Sequence, residues 1–305
     1  MFLGTAFNPE RDIPDLSEKV IFVTGANGGL GKETVLQLAK HCPSKIFLAA
    51  RNPSKAQDAV QNIRTVVPDA DLSYIALDLA SLDSVKAAAH KFLRQSTRLD
   101  MLINNAGIMA VPAGRTENGH EIQFGTNHLG HFLLTKLLLP VLQETASRLG
   151  ADVRIINVSS EGHIFAPTGG ICFDDLALTK EGVWSRYGQA KLANILHSKE
   201  LARRYPDITT VSVHPGIILT DLYLPNEETN TLFKYARAIF GPLIMQGVTQ
   251  GAQNQLWAAT SKAVENGSYY TPVGYKSRGS LYASDAELAV RLWEWSEEVL
   301  KKDGF

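Results

Sequence analysis

Short runs of β-branched and aliphatic residues alternate along the chain with longer stretches in which apolar positions recur at helical spacing. The runs 19–24, 46–50, 72–77, 101–103, 153–158 and 209–214 predict six strands. Residues 29–41, 54–66, 82–97, 119–146 and 184–205 predict the helices between them. Strands joined by helical crossovers feed a parallel sheet, because each crossover carries the chain back to the edge where the next strand begins. The pattern therefore predicts an α/β fold: one doubly wound parallel sheet of about seven strands, flanked by helices. After His214 the periodicity lapses. Residues 216–247, with Leu222, Tyr223, Phe233, Phe240 and Leu243 scattered among polar positions, predict a lid over the carboxyl edge of the sheet. A helix over 248–261, a last strand near 268–271 and a helix over 285–301 complete the pattern. No repeat or linker interrupts residues 1–305, which predicts one domain.

Composition narrows the function. With 45% hydrophobic residues the 305-residue chain can bury a full core, which excludes a disordered or collagen-like protein. The 30 Lys and Arg balance 31 Asp and Glu, so non-specific attraction to a nucleic-acid backbone has no source, and no nucleic-acid partner is expected. Two cysteines, Cys42 and Cys172, build neither a disulfide framework nor a CxxC zinc site, which fits a reducing compartment and no metal. Residues 1–15 lack a basic patch followed by an apolar core, and the densest apolar stretch, 132–142, is broken by Thr135, Lys136 and Pro140. The expectation is a cytoplasmic protein without a membrane anchor. The glycosylation patterns at Asn157 and Asn266 are read as chance matches for the same reason.

Between the first strand and the first long helix stands Thr24-Gly25-Ala26-Asn27-Gly28-Gly29-Leu30-Gly31. Glycines let the backbone turn tightly and approach a ligand, and free N–H groups at a helix start attract phosphate. The plain alternative is a tight strand-to-helix connection with no ligand. A Walker loop needs four residues between its first glycine and a Gly-Lys pair followed by Ser or Thr. Here five residues, 26–30, separate Gly25 from Gly31, and Glu33 stands where the magnesium-binding hydroxyl would be, which disfavours a kinase or NTPase.

The turn resembles T-G-x-x-x-G-x-G, the cofactor loop of the short-chain dehydrogenase/reductase family. Further motifs of that family follow in order: Asp78 after the third strand, Asn104-Asn105-Ala106-Gly107 after the fourth, and Asn127 in the long helix. Asn157-Val158-Ser159-Ser160 follows the fifth strand, then Tyr187 and Lys191, then Pro215-Gly216 with Thr220 after the sixth. Together they cover about residues 18–221. The resemblance implies a Rossmann-type fold with a cofactor-binding core over 16–215. It implies nicotinamide dinucleotide contacts from Gly25, Asn27, Gly29, Leu30 and Gly31 in the turn, and from Asp78 and Leu79, with Asp78 at the adenine. It places Asn104, Ala106 and Gly107 about the adenosine ribose, and Pro215, Gly216, Ile217 and Thr220 toward the carboxamide end. Asp78 has an alternative use as a cap of the next helix, for which Ser81 is an equal candidate. The 27-residue interval from Ser160 to Tyr187 and the segments around 171–176, 192–196 and 200–204 look like the branch containing retinol dehydrogenases and WW-domain oxidoreductases, although Ala190 replaces that branch's frequent serine.

An acidic residue at the end of the second strand accepts the ribose 2′-hydroxyl of NAD, whereas arginine accommodates the 2′-phosphate of NADP. Here Ala50 occupies the acidic position and Arg51 follows it, which predicts NADP, with Lys55 as a second cation. Arg51 as a solvated surface residue is the alternative. Tyr187 and Lys191 are four apart on a helix, so both project from one face about 6 Å apart along the axis. A free phenol titrates near pH 10, so its phenolate at pH 7 costs about 4 kcal/mol, and a neighbouring ammonium offsets part of that. The resemblance makes Tyr187 the general acid or base, lets Lys191 also bind the nicotinamide ribose, selects Ser160 rather than Ser159 to hold the substrate oxygen, and has Asn127 anchor a water linking Lys191 to solvent.

His128 and His131, three apart, suggest a metal pair only weakly; helix packing is the preferred reading. No Gly-x-Ser-x-Gly elbow supports a hydrolase. The expectation is an NADP-dependent oxidoreductase moving hydride between nicotinamide and a carbonyl or secondary alcohol of a bulky, apolar small molecule. A catalytically silent NADP-sensing interaction protein, and dehydratase or epimerase chemistry on the same fold, stay open. A homodimer through the two long helices is the family-level expectation.

Overall fold

A computed structural model of the chain describes residues 5–178, 181–216 and 247–305. Its centre is a sheet of β1 (Val20–Thr24), β2 (Lys45–Ala50), β3 (Leu72–Ala76), β4 (Met101–Asn104), β5 (Arg154–Val158), β6 (Thr209–Val213), β7 (Tyr269–Thr271) and β8 (Tyr275–Ser277). The spatial order is β3-β2-β1-β4-β5-β6-β7-β8. Strands β1 to β7 run parallel, and β8 returns antiparallel beside β7. The expected α/β fold with about seven parallel strands is thus present, with one short antiparallel edge added.

Alternation within each strand divides the core into two layers. Ile21 and Val23 of β1 and Ile46 and Leu48 of β2 point to one face, toward α2 (Gly29–Ala39), α3 (Pro53–Val66) and, later in the chain, Val248–Thr260. Phe22 and Phe47 point to the other, where α4 (Leu82–Leu93) supplies Phe92 and the helix Gly130–Ala146 supplies Phe132, Leu134 and Leu138. Phe92 meets Phe22 and Phe47 edge-on, with centroids 5.5 and 4.7 Å away. Local chemistry starts the helices where expected: Asn52 accepts the N–H of Lys55 before Pro53, and Ser81 caps α4.

The helix expected over 119–146 is divided. A short turn of helix, α5 (Ile122–Phe124), is capped by the Glu121 carboxylate, which accepts the Phe124 N–H at 2.7 Å. A π turn over Gly125–Leu129 follows, and only then α6 (Gly130–Ala146). The next long helix is α7 (Val183–Arg204), followed by α8 (Val248–Thr260) and α9 (Ala286–Lys302), which packs along α7. The expected lid lies outside the described residues apart from its ends, Gly216 and Gly247, as do Ile217 and Thr220. Among the described residues no helix is long and apolar enough to cross a membrane, and no cluster of three or more His, Cys, Asp or Glu could hold a metal.

Strand order reverses between β1 and β4, which opens a crevice at their carboxyl ends. The Phe22–Phe47–Phe92 cluster lies under the sheet, on the opposite side from α2. Phe92→Ala should therefore lower the unfolding free energy by about 3 to 5 kcal/mol in urea titrations; a loss below about 1 kcal/mol would contradict this packing.

Candidate active site

A cleft of about 570 Å³ opens along the carboxyl ends of the central strands. At its floor Gly25 and Gly29 have φ of +66° and +48°, a region that side chains strain to adopt. A Cβ on Gly31 would overlap the Gly25 carbonyl and stand 2.6 Å from Asn105 Nδ2. The Thr24 hydroxyl oxygen accepts the N–H groups of Asn105 and Ala106, both at 2.9 Å, which clips the turn to the end of β4. Gly28 begins α2 without a side-chain acceptor, so the first N–H groups of that helix face the cleft uncapped by a side chain. This turn, too tightly packed at Gly25 and Gly31 to admit side chains and opening uncapped N–H groups to the cleft, fits a dinucleotide pyrophosphate.

At one end of the cleft the Arg51 side chain is 77% exposed, and its guanidinium stands 4.0 Å from the Asp78 carboxylate. Ala50, Arg51, Lys55, Asp78 and Leu79 all line this end. Asp78 accepts the Ala80 N–H at 2.9 Å, and Ser81 rather than Asp78 caps α4. Asn104 does not reach the cleft: its amide donates to Asn157 Oδ1 (2.8 Å) and Thr135 Oγ1 (3.1 Å), tying β4 to β5 and α6. Its neighbour Asn105 lines the cleft instead and donates to the Thr24 carbonyl at 2.8 Å. Ala106, Gly107, Pro215 and Gly216 line the cleft wall.

The other end brings Ser160, Tyr187, Lys191 and Asn127 together. Lys191 is 4% exposed, and its Nζ donates to the Val158 carbonyl at 3.0 Å and lies 5.8 Å from the centre of the Tyr187 ring. Burial lowers the Lys191 ammonium to about 8. A Cβ on Gly162 would come 2.7 Å from Tyr187 Cε1 and 3.3 Å from Ser160 Oγ, so phenol ring and hydroxyl converge on that glycine. Ser160 Oγ accepts the Gly162 N–H at 3.0 Å, which leaves its own proton to donate. Ser159 is committed elsewhere, donating to the Lys191 carbonyl at 2.7 Å. Asn127, in the π turn, holds Ile108 by both main-chain groups, accepting its N–H at 2.8 Å and donating to its carbonyl at 2.9 Å.

Other residues in and around the cleft belong to none of the motifs above. His163 accepts the Ser280 N–H at Nε2, so its Nδ1 carries the hydrogen and donates to the Ser160 carbonyl at 2.7 Å, fixing that residue from behind. His214 lines the cleft with Nε2 3.9 Å from the Glu161 carboxylate, and burial pushes its imidazole down to about 4. Its position directly before Pro215 is the only signal that could have marked it. Met109, Ala110 and Val183 pack on Tyr187, and Trp184 meets its ring edge-on at 6.1 Å; Met109 also lines the cleft, beside Ile108 and Val111.

The family model for short chain dehydrogenases matches residues 19–173. The chain is 42% identical to the short-chain dehydrogenase/reductase drtF of Aspergillus calidoustus, over 95% of this chain and 96% of that one. It is 37% identical to retinol dehydrogenase 12 of Mus musculus, over 98% and 90%. Among solved structures, an uncharacterized protein from Mycobacterium paratuberculosis superposes with a TM-score of 0.74 at 31% identity, over 97% of this chain and 98% of that one. The chain belongs to the short-chain dehydrogenase/reductase family, whose members are oxidoreductases of this fold.

In the unfolded chain Lys191 titrates near pH 10.4, so between about 8 and about 10.4 the unfolded state holds a proton that the folded state has released. The stability contributed by this group therefore rises with pH across that window. Relative to Lys191→Met, the cofactor-free protein should gain on the order of 2 to 3 kcal/mol in urea unfolding as pH climbs through it. Parallel pH profiles for the two proteins would contradict a desolvated ammonium.

Proposed function

We propose that the chain is an NADP-dependent oxidoreductase, a single cofactor-binding domain that moves hydride between nicotinamide and a carbonyl or secondary alcohol of a bulky, apolar small molecule. The observation that carries this reading is the buried Lys191 ammonium beside Tyr187 and Ser160, in one cleft with a glycine cradle. Bound there, the dinucleotide supplies or accepts the hydride. Tyr187 gives its phenol proton to the carbonyl oxygen in reduction and takes it back in oxidation. The Lys191 charge, screened by little water, favours the phenolate and lowers the cost of that transfer. Ser160 donates its free hydroxyl proton to the substrate oxygen, where charge develops. Asn127 steadies the wall that Lys191 packs against and anchors the water through which the lysine reaches solvent.

Gly25, Asn27, Gly29, Leu30 and Gly31 would hold the pyrophosphate, with Asp78, Leu79, Ala106, Gly107, Pro215 and Gly216 along its length. NADP rather than NAD is supported by Ala50, which presents no carboxylate to repel a 2′-phosphate, and by Arg51, whose guanidinium is only loosely engaged by Asp78. An apolar substrate is supported by Ile108, Met109 and Val111, which line the cleft. Free Cys42 and Cys172 suit the cytoplasm, where NADPH would drive reduction.

Tyr187→Phe should cut turnover by about 10²- to 10⁴-fold while leaving NADPH affinity unchanged; retained turnover would refute the assigned role. Arg51→Ala should weaken NADPH binding by about tenfold and leave NADH binding alone, measured by fluorescence titration. NADPH absorbance followed against ketones, aldehydes and quinones separates the alternatives. Tight binding without consumption favours the sensing protein, and a redox-neutral product favours dehydration or epimerisation.

A further inference from the structure

His131, on the first turn of α6, is 1% exposed, and its ring nitrogens are both engaged. Nδ1 lies 3.1 Å from the main-chain oxygen of Asn127, which can only accept, so Nδ1 carries the hydrogen. Nε2 is then the acceptor, and the Thr24 hydroxyl, 2.9 Å away, donates to it. That same hydroxyl oxygen receives the Asn105 and Ala106 N–H groups and stands one residue before Gly25. On the far side, Asn127 grips Ile108 through its side chain. A Cβ on Gly107 would lie 3.1 Å from Asn127 Oδ1 and 3.3 Å from Lys191 Nζ, so asparagine and lysine abut the same glycine.

We propose that His131 is a positioning residue that ties the glycine-rich turn to the asparagine and lysine of the catalytic end, so that dinucleotide binding and the placement of Lys191 are coupled through one imidazole. A histidine serving helix packing alone needs only some acceptor and some donor. This one takes its donor from the residue that clips the dinucleotide turn and its acceptor from the residue that holds the wall beside Lys191. Only the neutral ring with hydrogen on Nδ1 makes both bonds, since a protonated ring would turn two donors outward and lose the Thr24 hydroxyl. The titratable groups facing it are Lys191 and His197 on α7 and His128 on the π turn. Burial and the Lys191 charge push His131 down to about 4, and both neighbouring histidines are also held neutral by burial. The tautomer therefore persists through the working pH range.

His131 has this role only if the cleft is the dinucleotide-dependent proton-transfer site proposed above. Removing the bridge frees Thr24 and Asn127, loosens the turn, and weakens the hold on the lysine that favours the Tyr187 phenolate. In alcohol oxidation, where Tyr187 must be deprotonated, the rising limb of the rate against pH then moves to higher pH. The full chain is compared as wild type, His131→Leu, which bridges nothing, and His131→Gln, whose amide offers one donor and one acceptor. NADPH affinity is read by fluorescence titration, and the pH limb with a secondary alcohol the wild type oxidises.

The leucine variant should bind NADPH at least about fivefold more weakly, and its limb should shift upward by about one pH unit. The glutamine variant should recover most of both. Wild-type affinity and an unmoved limb in the leucine variant, whatever its thermal stability, would overturn the proposal. Should that variant not fold, nitrogen NMR of the wild-type ring decides. A neutral Nδ1–H imidazole from pH 5 to 9, with its Nε2 resonance displaced by saturating NADPH, supports the coupling; an Nε2–H ring or a resonance indifferent to NADPH overturns it. A wild-type chain that binds no NADPH removes the site's proposed function and the inference together.

Discussion

An ammonium group stripped of water is costly, and the residues around Lys191 are arranged so that the cost is met by few partners at close range. Its Nζ rests on the Val158 carbonyl, at the carboxyl end of β5, which also receives the Asn194 amide at 3.2 Å. Glycine recurs where the surrounding elements must close on it. A Cβ on Gly188 would stand 2.6 Å from the main chain at Phe165 and Ala166, and Gly107 and Gly162 border the lysine and the tyrosine in the same way. Helix α7 can lie this deep only because those three positions lack side chains. In the proposed function the buried cation would act on Tyr187 through a medium that screens poorly and so favour its phenolate.

The dinucleotide end is linked to that arrangement by buried polar groups joined by hydrogen bonds, although Asn104 Oδ1 and Gln255 Oε1 have no hydrogen-bond partner. Asn105 joins the Thr24 carbonyl to Gln255 on α8, and Gln255 in turn donates to Thr34 on α2. Asn104 and Asn157 connect the ends of β4 and β5 and continue to Ser198 on α7. Each bond adds little net stability, but an orphaned partner would cost more, so the network specifies one arrangement of strand ends. Both halves of the cleft inherit their geometry from this layer. Substitutions there should therefore disturb binding and chemistry together, even where no side chain reaches the ligand.

Much of this was legible in the residue pattern. The alternation of apolar runs marked the seven parallel strands because buried strands are short, continuous and β-branched, and the glycine spacing marked the turn because backbone there must approach a phosphate. Tyr187 and Lys191 were visible as a pair because four residues make one helical turn. Other features were invisible for physical reasons. The choice between Asn104 and Asn105 depends on which side of β4 each side chain leaves, and the last strand residue points into the network rather than the cleft. The π turn at Gly125–Leu129 shifts hydrogen bonding by one residue without altering apolar spacing enough to read. The edge strand β8 has three residues, two of them exposed, too few for a period. His131 and His214 gain meaning only from partners distant in sequence, Thr24 for one and Glu161 for the other.

In the proposed function the fold lowers the proton affinity of the Tyr187 phenol. Phenolate absorbance titrated in the wild-type protein saturated with oxidised NADP, less the same titration of Tyr187→Phe, measures that affinity. A single phenol ionising well below its ordinary value near pH 10 is the predicted result. A difference spectrum that develops only at or above that value would contradict the account.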